Sequence, residues 1–359
     1  MKLTSSDLLL KYLEKENVEY IFGVPGLSLV PIFQACNRNE KIKPILAKHE
    51  EGAAFMADGY ARVKGSLGVC FGTSGPGATN LVTGVATSFV DSIPVLVLTG
   101  QVATSSYGKG AFQDSTKDGV DSVQMFDPIT RYSSMIISKY MVSDQIKEAL
   151  RIALTGKKGP VHLSLPKDVM AEEIECELPS SVAYRPPAEY FDRRMVIEAA
   201  QELAEAKSPV ILIGSGAVAS HACEDIKELA EMLNIPVATS PKAKGAFPED
   251  HPLSLGVFGF CGSPVAERCL TSGQTDVLLV IGASLNQMTT SSWDPRLAPS
   301  KCLIQVNIDP TEIGKNYKVD IPLVGDALTI VNEISFRILR LIQDKEPDGK
   351  GTKRVANIR

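Results

Sequence analysis

The chain has 359 residues, 44% hydrophobic and 22% charged, with a formal net charge of −5. At about 100 to 200 residues per domain this composition describes a globular protein with two cores. The acidic balance, with a pI near 5.6, leaves no basic footprint for nucleic acid, and no apolar run approaches the ~20 residues needed to span a bilayer.

The first residues, MKLTSSDLLLKYLEKENVEY, alternate charged and apolar groups and predict a capped amphipathic helix over 5–16 rather than a secretory leader. A cytoplasmic protein is expected. Strands follow at 20–23, 43–47, 68–72, 95–99 and 161–165, with helices at 51–64, 78–89 and 143–155. Short β-branched runs alternating with amphipathic segments, punctuated by Gly or Pro, predict a mostly parallel, doubly wound α/β sheet. A first domain is therefore expected over 1–166. The stretch 167–192, rich in Pro, Ser and acidic residues, reads as a linker.

A second alternating unit occupies 193–344: helices at 193–206, 219–233 and 328–344, with strands at 210–213, 237–239, 277–281 and 303–308. It reads as a second Rossmann-like domain. The final stretch, 345–359, is basic and Gly-rich and is expected to be a flexible, solvated tail. Cysteines 36, 70, 176, 223, 261, 269 and 302 are scattered without a CxxC pair, which predicts reduced core thiols rather than disulfides or zinc.

Two strings carry chemistry. In AKHEEGAAFMADGYAR, residues 47–62, Glu50 falls where a strand ends and a helix begins, the edge at which open α/β sheets place ligands. The residues that follow, Gly52 to Met56, would surround a carboxyl there with apolar groups and desolvate it. The plainer reading of a Glu at this position is a charge complementing the helix dipole, and Glu51 fits it well. His49 beside them suits a solvated or capping role at least as well as acid-base work. In TSGPGATN, residues 73–80, Gly75 and Gly77 allow backbone to approach a ligand and Pro76 fixes the turn between them.

Taken together, these strings at this spacing resemble the pyrimidine-binding domain of thiamine diphosphate enzymes, closest to acetolactate synthase. The resemblance extends over most of residues 1–345. It implies that Glu50 is catalytic, hydrogen-bonding the aminopyrimidine ring of thiamine diphosphate. It further implies cofactor contacts from Val24, Pro25 and Gly26 in FGVPG, from Thr73, Pro76, Gly77 and Asn80, and from Gln113 in GAFQ. The expected activity is decarboxylation or carboligation of a small 2-oxo acid such as pyruvate. One departure is the segment 114–130, which is longer than the resemblance leads one to expect and bears on the substrate.

The second domain matches the same family through KAKGAFPEDHPLSLG, residues 242–256, and VNIDPTEIGKN, residues 306–316. Gly214, Ser215 and Gly216 in IGSGA read equally as a dinucleotide turn or as a simple tight βα turn. In acetolactate synthases this domain binds FAD, and in relatives acting on acyl-CoA compounds it holds ADP. Either would involve Asn307 and Asp309. Asn307, however, stands where an acid would hold a ribose hydroxyl, and Lys157 stands where the family has an Arg, whose planar fork Lys cannot reproduce.

The family's GDG motif with its Asn-Asn, which holds Mg²⁺ and the diphosphate, does not occur in these 359 residues. The resemblance therefore implies a diphosphate-binding domain or subunit as partner, no metal ligands in this chain, and negligible catalysis by the chain alone. It also implies pairing of pyrimidine domains into a homodimer or larger oligomer, through the helices at 53–60 and 81–90. Alternatives are part of a 2-hydroxyacyl-CoA lyase or oxalyl-CoA decarboxylase-like enzyme, and a noncatalytic nucleotide-binding or assembly module.

Overall fold

Thr4 starts the first helix, α1 (Ser5–Lys15), with a reciprocal cap: its hydroxyl accepts from the Asp7 N–H at 3.1 Å while the Asp7 carboxylate accepts from the Thr4 N–H at 3.2 Å. The helix then buries Leu8, Leu9, Tyr12 and Leu13 completely. In this computed structural model the described residues are 2–175, 177, 180–185, 190–342 and 349–358. The chain forms two units, Met1–Pro187 and Ala188–Arg359.

In the first unit, β1 (Lys2–Thr4) precedes α1. Then come β2 (Tyr20–Gly23), α2 (Val30–Arg38), β3 (Lys43–Leu46), α3 (Glu50–Lys64), β4 (Gly68–Gly72), α4 (Pro76–Thr79) and α5 (Val82–Asp91). The rest is β5 (Val95–Gln101), α6 (Ser122–Phe126), β6 (Ser133–Met135), α7 (Val142–Leu154), β7 (Val161–Pro166), α8 (Lys167–Ala171), β8 (Glu173–Glu175) and α9 (Ser181–Tyr184). Six strands form one parallel sheet in the order β3-β2-β4-β5-β7-β6. Alternate residues of a strand serve opposite layers: Val69, Phe71, Leu96 and Leu98 join one core, while Cys70, Val95 and Val97 join another. A sheet packed on both faces is the doubly wound arrangement expected from the sequence. Strand order reverses between β2 and β4, so their C-terminal ends open a crevice.

The second unit holds α10 (Arg193–Glu205), β9 (Val210–Ile213), α11 (Ser215–Ala219), α12 (Cys223–Leu233), β10 (Val237–Thr239), β11 (Ser254–Val257), α13 (Pro264–Leu270), β12 (Val277–Ile281), β13 (Cys302–Asn307), β14 (Ile321–Val324), α14 (Ala327–Ile342) and α15 (Lys350–Ile358). Its sheet is also parallel, in the order β11-β10-β9-β12-β13-β14. This is the dinucleotide-binding strand order, with its reversal between β9 and β12.

Two expectations need correction. Within the stretch read as a linker, the described residues 167–175 and 180–185 belong to the first unit, and 176, 178, 179 and 186–189 lie outside the described residues. There β8 pairs antiparallel with β1, Tyr184 donates its hydroxyl to Glu16 Oε1 at 2.6 Å, and Arg185 reaches Glu16 Oε2 at 2.8 Å. Pro and acidic residues forbid a long helix or a central strand but not a three-residue edge pair. The other correction concerns the stretch read as a solvated tail. Residues 350–358 form α15, whose Gly351, Val355 and Ile358 recur at helical spacing. Val355 is 1% exposed within the core, and a Cβ at Gly351 would collide with the Asn234 carbonyl. That stripe is too short to stand out among Lys and Arg. Residues 343–348 and Cys176 lie outside the described residues.

Among the described cysteines, 36, 70, 269 and 302 are buried, 223 is intermediate and 261 is exposed, and all six are free thiols. Burial pushes the Cys70 thiol up to about 12 and the Cys36 thiol to about 11. These are unreactive core residues.

Candidate functional site

The crevice at the C-terminal edge of the first sheet collects the loops that leave β2, β3, β4 and β5. After β3, His49 caps α3: its Nδ1 accepts from the Glu51 N–H at 3.2 Å, and Glu50 and Glu51 occupy the first turn. His49 is therefore a capping residue and Glu51 a half-buried first-turn charge. Glu50, beside them, is only 8% exposed. Asn80 Nδ2 donates to Glu50 Oε2 at 3.0 Å. Oε1 accepts no hydrogen bond among the described residues.

The neighbours expected to desolvate Glu50 divide. Ala53 and Ala54 enter the core, whereas Phe55 and Met56 are 43% and 42% exposed. The packing at Glu50 comes instead from the turn after β4. A Cβ at Gly77 would stand 3.2 Å from Glu50 Oε1 and 2.8 Å from Thr73 Cγ2. Gly77 is thus the surface on which the carboxylate rests. Gly75 has φ +66, a conformation favouring glycine, and a Cβ there would stand 3.3 Å from that of Gln113, itself at φ +59.

Thr73 is fixed through its hydroxyl, 2.9 Å from Ser28 Oγ, and Gly26 packs so closely on Thr73 that a Cβ would collide with it. Gly26, Thr73, Gly77, Glu50, Asn80, Gly75 and Gln113 therefore share one crevice, with exposed Pro76 on its wall. Val24, partly buried, and Pro25, exposed, follow β2 at the same sheet edge.

Several positioning residues escaped the sequence reading. Ser115 Oγ accepts from the Gly75 N–H at 2.8 Å, and Gln101 Oε1 accepts from the Ser115 N–H at 3.1 Å. Gln101, at the end of β5, thus carries the segment after Gln113. Ser115 had no signal in the sequence at all. The ADGYAR half of the longer string proves structural. Asp58 accepts from Arg62 at 2.5 Å and from Ser88 at 2.8 Å, and Arg62 reaches on to Asp91 at 2.7 Å, tying α3 to α5.

A cleft of about 530 Å³ adjoins the crevice, lined in part by Gly75, Pro76, Thr79, Gln113, Asp114 and Asp118. Beside it, burial and the charges of Asp168 and Asp114 hold the Tyr107 hydroxyl well above the ordinary phenol range. Deeper in the sheet, His162 is fully buried between the hydroxyls of Thr99 and Ser133, each 2.8 Å from a ring nitrogen. Burial presses its pKa down to about 3, so the ring is neutral.

The residues of the second unit form their own cluster. The Gly214 N–H donates to the Ile281 carbonyl at 2.8 Å and the Gly216 N–H to the Gly282 carbonyl at 2.9 Å. Ser215 is exposed. Asn307 accepts from the Asp309 N–H at 3.0 Å and donates to the Ala283 carbonyl at 3.5 Å, while Asp309 caps its own turn through Thr311. The N–H groups of Gly214 and Gly216 thus bond the neighbouring strand end, as in a tight βα turn.

Among the described residues no three His, Cys, Asp or Glu side chains stand together as a metal site, and no helix is long and apolar enough to cross a membrane.

Comparison with known proteins matches residues 3–124 to the N-terminal TPP binding domain of thiamine pyrophosphate enzymes and residues 196–334 to the central domain of those enzymes. The probable acetolactate synthase large subunit of Methanocaldococcus jannaschii is 42% identical over 352 residues, covering 96% of this chain and 58% of that protein. Its counterpart in Methanococcus aeolicus is 42% identical over 360 residues, 99% of this chain and 58% of that protein. The acetolactate synthase of Mycobacterium bovis is 37% identical over 336 residues, 93% of this chain and 53% of that protein. The chain thus spans a little over half the length of these relatives.

Proposed function

Because the chain belongs to the thiamine pyrophosphate enzyme family, we propose that it forms the pyrimidine-binding side of a thiamine diphosphate-dependent, acetolactate synthase-like decarboxylase or carboligase acting on a small 2-oxo acid. The observation that carries the reading is the Glu50 carboxylate, buried at the sheet edge, clamped through Oε2 by Asn80 and resting on Gly77. When bound, thiamine diphosphate supplies the carbon nucleophile and electron sink for the reaction.

The protein's part is positioning and proton control. Glu50 Oε1, left without a partner among the described residues, is the atom that would hold a proton toward the pyrimidine ring. Asn80 fixes the rotamer that presents it. Thr73 and Gly75, anchored by Ser28 and Ser115, keep backbone beside it, and Gly26 and Gly77 keep side chains out of the space. A further domain, on this or another polypeptide, would hold the diphosphate and Mg²⁺. Without that anchor the pyrimidine contacts alone bind the cofactor weakly.

Pairing of two copies through α3 and α5 is part of the same reading. It is supported by the exposure of Phe55, Met56, Val63, Phe89 and Val90 on those helices. A noncatalytic module would have no use for a buried carboxylate held in this way. The test is turnover of pyruvate by the protein together with a diphosphate-binding domain, wild type against Glu50→Gln. The reading requires thiamine diphosphate-dependent turnover that Glu50→Gln loses by at least about a hundredfold, within the range a positioned acid-base group supplies. Equal turnover by both would refute it.

A further inference from the structure

Resting on that reading, we propose that Ser115 and Gln101 are positioning residues for the cofactor ring. They hold the turn at Gly75 and the backbone at Gln113 in the shape the ring binds, and so set cofactor affinity rather than the rate of the chemistry. Ser115 is completely buried, and each of its three polar groups ties a different element. Its Oγ accepts from the Gly75 N–H at 2.8 Å, its N–H donates to Gln101 Oε1 at 3.1 Å, and its carbonyl accepts from the Ser122 N–H at 3.3 Å, at the start of α6. Gln101 is equally buried, and the same Oε1 takes the Val102 N–H at 2.8 Å, so the end of β5 is the fixed point of this chain of bonds.

The bonds hold backbone that would not keep this shape unaided. Gln113, at φ +59, occupies the left-handed region at a cost that glycine escapes, and it is pinned on its C-terminal side by the Asp114 N–H on the Ala111 carbonyl at 3.2 Å and by Ser115 on Gln101. It lies against Gly75, where a Cβ would stand 3.4 Å from Gln113 Cγ. Gly75 is buried, so in this shape its N–H depends on the Ser115 hydroxyl. Without that hydroxyl the peptide gains by rotating away, and a ligand that needs the original turn must first restore it. Its apparent affinity then falls by the fraction of molecules still in the competent shape. The Glu50–Asn80 bond joins the loops after β3 and β4 without Ser115, so proton control at Glu50 survives once the cofactor is driven in by concentration.

The experiment is titration of thiamine diphosphate with Mg²⁺ into the protein with its completing domain, followed by pyruvate turnover at saturating cofactor. It compares wild type, Ser115→Ala, Ser115→Thr, Gln101→Leu and the double variant Ser115→Ala/Gln101→Leu. Ser115→Ala should raise the dissociation constant by about tenfold or more, the effect of leaving a buried N–H unpaired. Its kcat at saturation should stay within about twofold of wild type, because bound cofactor restores the turn. Ser115→Thr, which keeps the hydroxyl, should recover most of the affinity. The loss in the double variant should be smaller than the product of the two single losses, since Gln101 acts through Ser115.

Melting of each variant checks that it folds. Should Ser115→Thr or Gln101→Leu not fold, the split between affinity and kcat in Ser115→Ala decides. Unchanged affinity in Ser115→Ala, a kcat at saturation that falls with it, a folded Ser115→Thr no better than Ser115→Ala, or single losses that multiply in the double variant would overturn the proposal. Wild-type binding and its dependence on Glu50 are recorded first. If wild type binds in no mixture, the cofactor reading itself fails; if it binds and Ser115→Ala binds equally well, only the positioning assignment falls.

Discussion

Asn80 and Glu50 lie 30 residues apart and meet through one hydrogen bond, Nδ2 to Oε2 at 3.0 Å. The pair joins the loop after β3 to the loop after β4 and leaves Oε1 for a ligand. A hydrogen bond to a charged group contributes about 1.5 to 3 kcal/mol. Asn80→Ala should therefore weaken thiamine diphosphate binding or turnover in the completed enzyme by about tenfold to a hundredfold, with little change in melting temperature. A variant that binds and turns over normally would show that the bond does not position Glu50.

The two glycines on either side of Glu50 should respond with opposite signs. A Cβ at Gly77 would press on Thr73 and Glu50, whereas one at Gly52 meets nothing within 4 Å. Gly77→Ala should destabilise by about 1 to 3 kcal/mol, as overpacking does. Gly52→Ala, inside α3, should stabilise by up to about 1 kcal/mol through helix propensity. Urea denaturation of both variants reads the difference directly.

His162 makes stability depend on acid. Its folded pKa of about 3 lies below the ordinary 6.5, so below pH 6.5 the unfolded chain takes up a proton that the folded chain refuses. This contribution is whole above pH 6.5 and falls by about 1.4 kcal/mol per pH unit as pH drops toward 3. Chemical denaturation at pH 7, 6 and 5 should show that slope in the wild type and a slope smaller by one proton in His162→Gln.

Val355 anchors α15. Val355→Asp would bury an unpaired charge at a cost of about 3 to 5 kcal/mol. The loss should appear in hydrogen exchange at β9 and β12, whose residues share its core. A variant as protected as wild type would place the helix outside the fold.

Much of this was legible because the central strands are apolar runs whose two faces are both buried. Residues 20–23, 68–72, 210–213, 237–239 and 277–281 were read as strands at the bounds the structure gives. The edge strands β6, β11 and β14 (SSM, SLGV and IPLV) are interrupted by Ser, Gly or Pro and carry too little apolar pattern to be seen. Glu50, Thr73, Gly77 and Asn80 were legible as a string, because a strand end followed by a glycine turn fixes where side chains meet. Ser28, Gln101 and Ser115 were not, since their roles come from contacts across 14 to 46 residues of sequence.

The most direct test of the account is calorimetric titration of thiamine diphosphate with Mg²⁺ into the purified chain, alone and with a diphosphate-binding domain, for wild type and Glu50→Gln. The account predicts weak binding alone, tight binding in the mixture, and a marked loss of that tight binding or of the accompanying turnover in Glu50→Gln. Binding and turnover indifferent to Glu50, or no binding in any mixture, would contradict it.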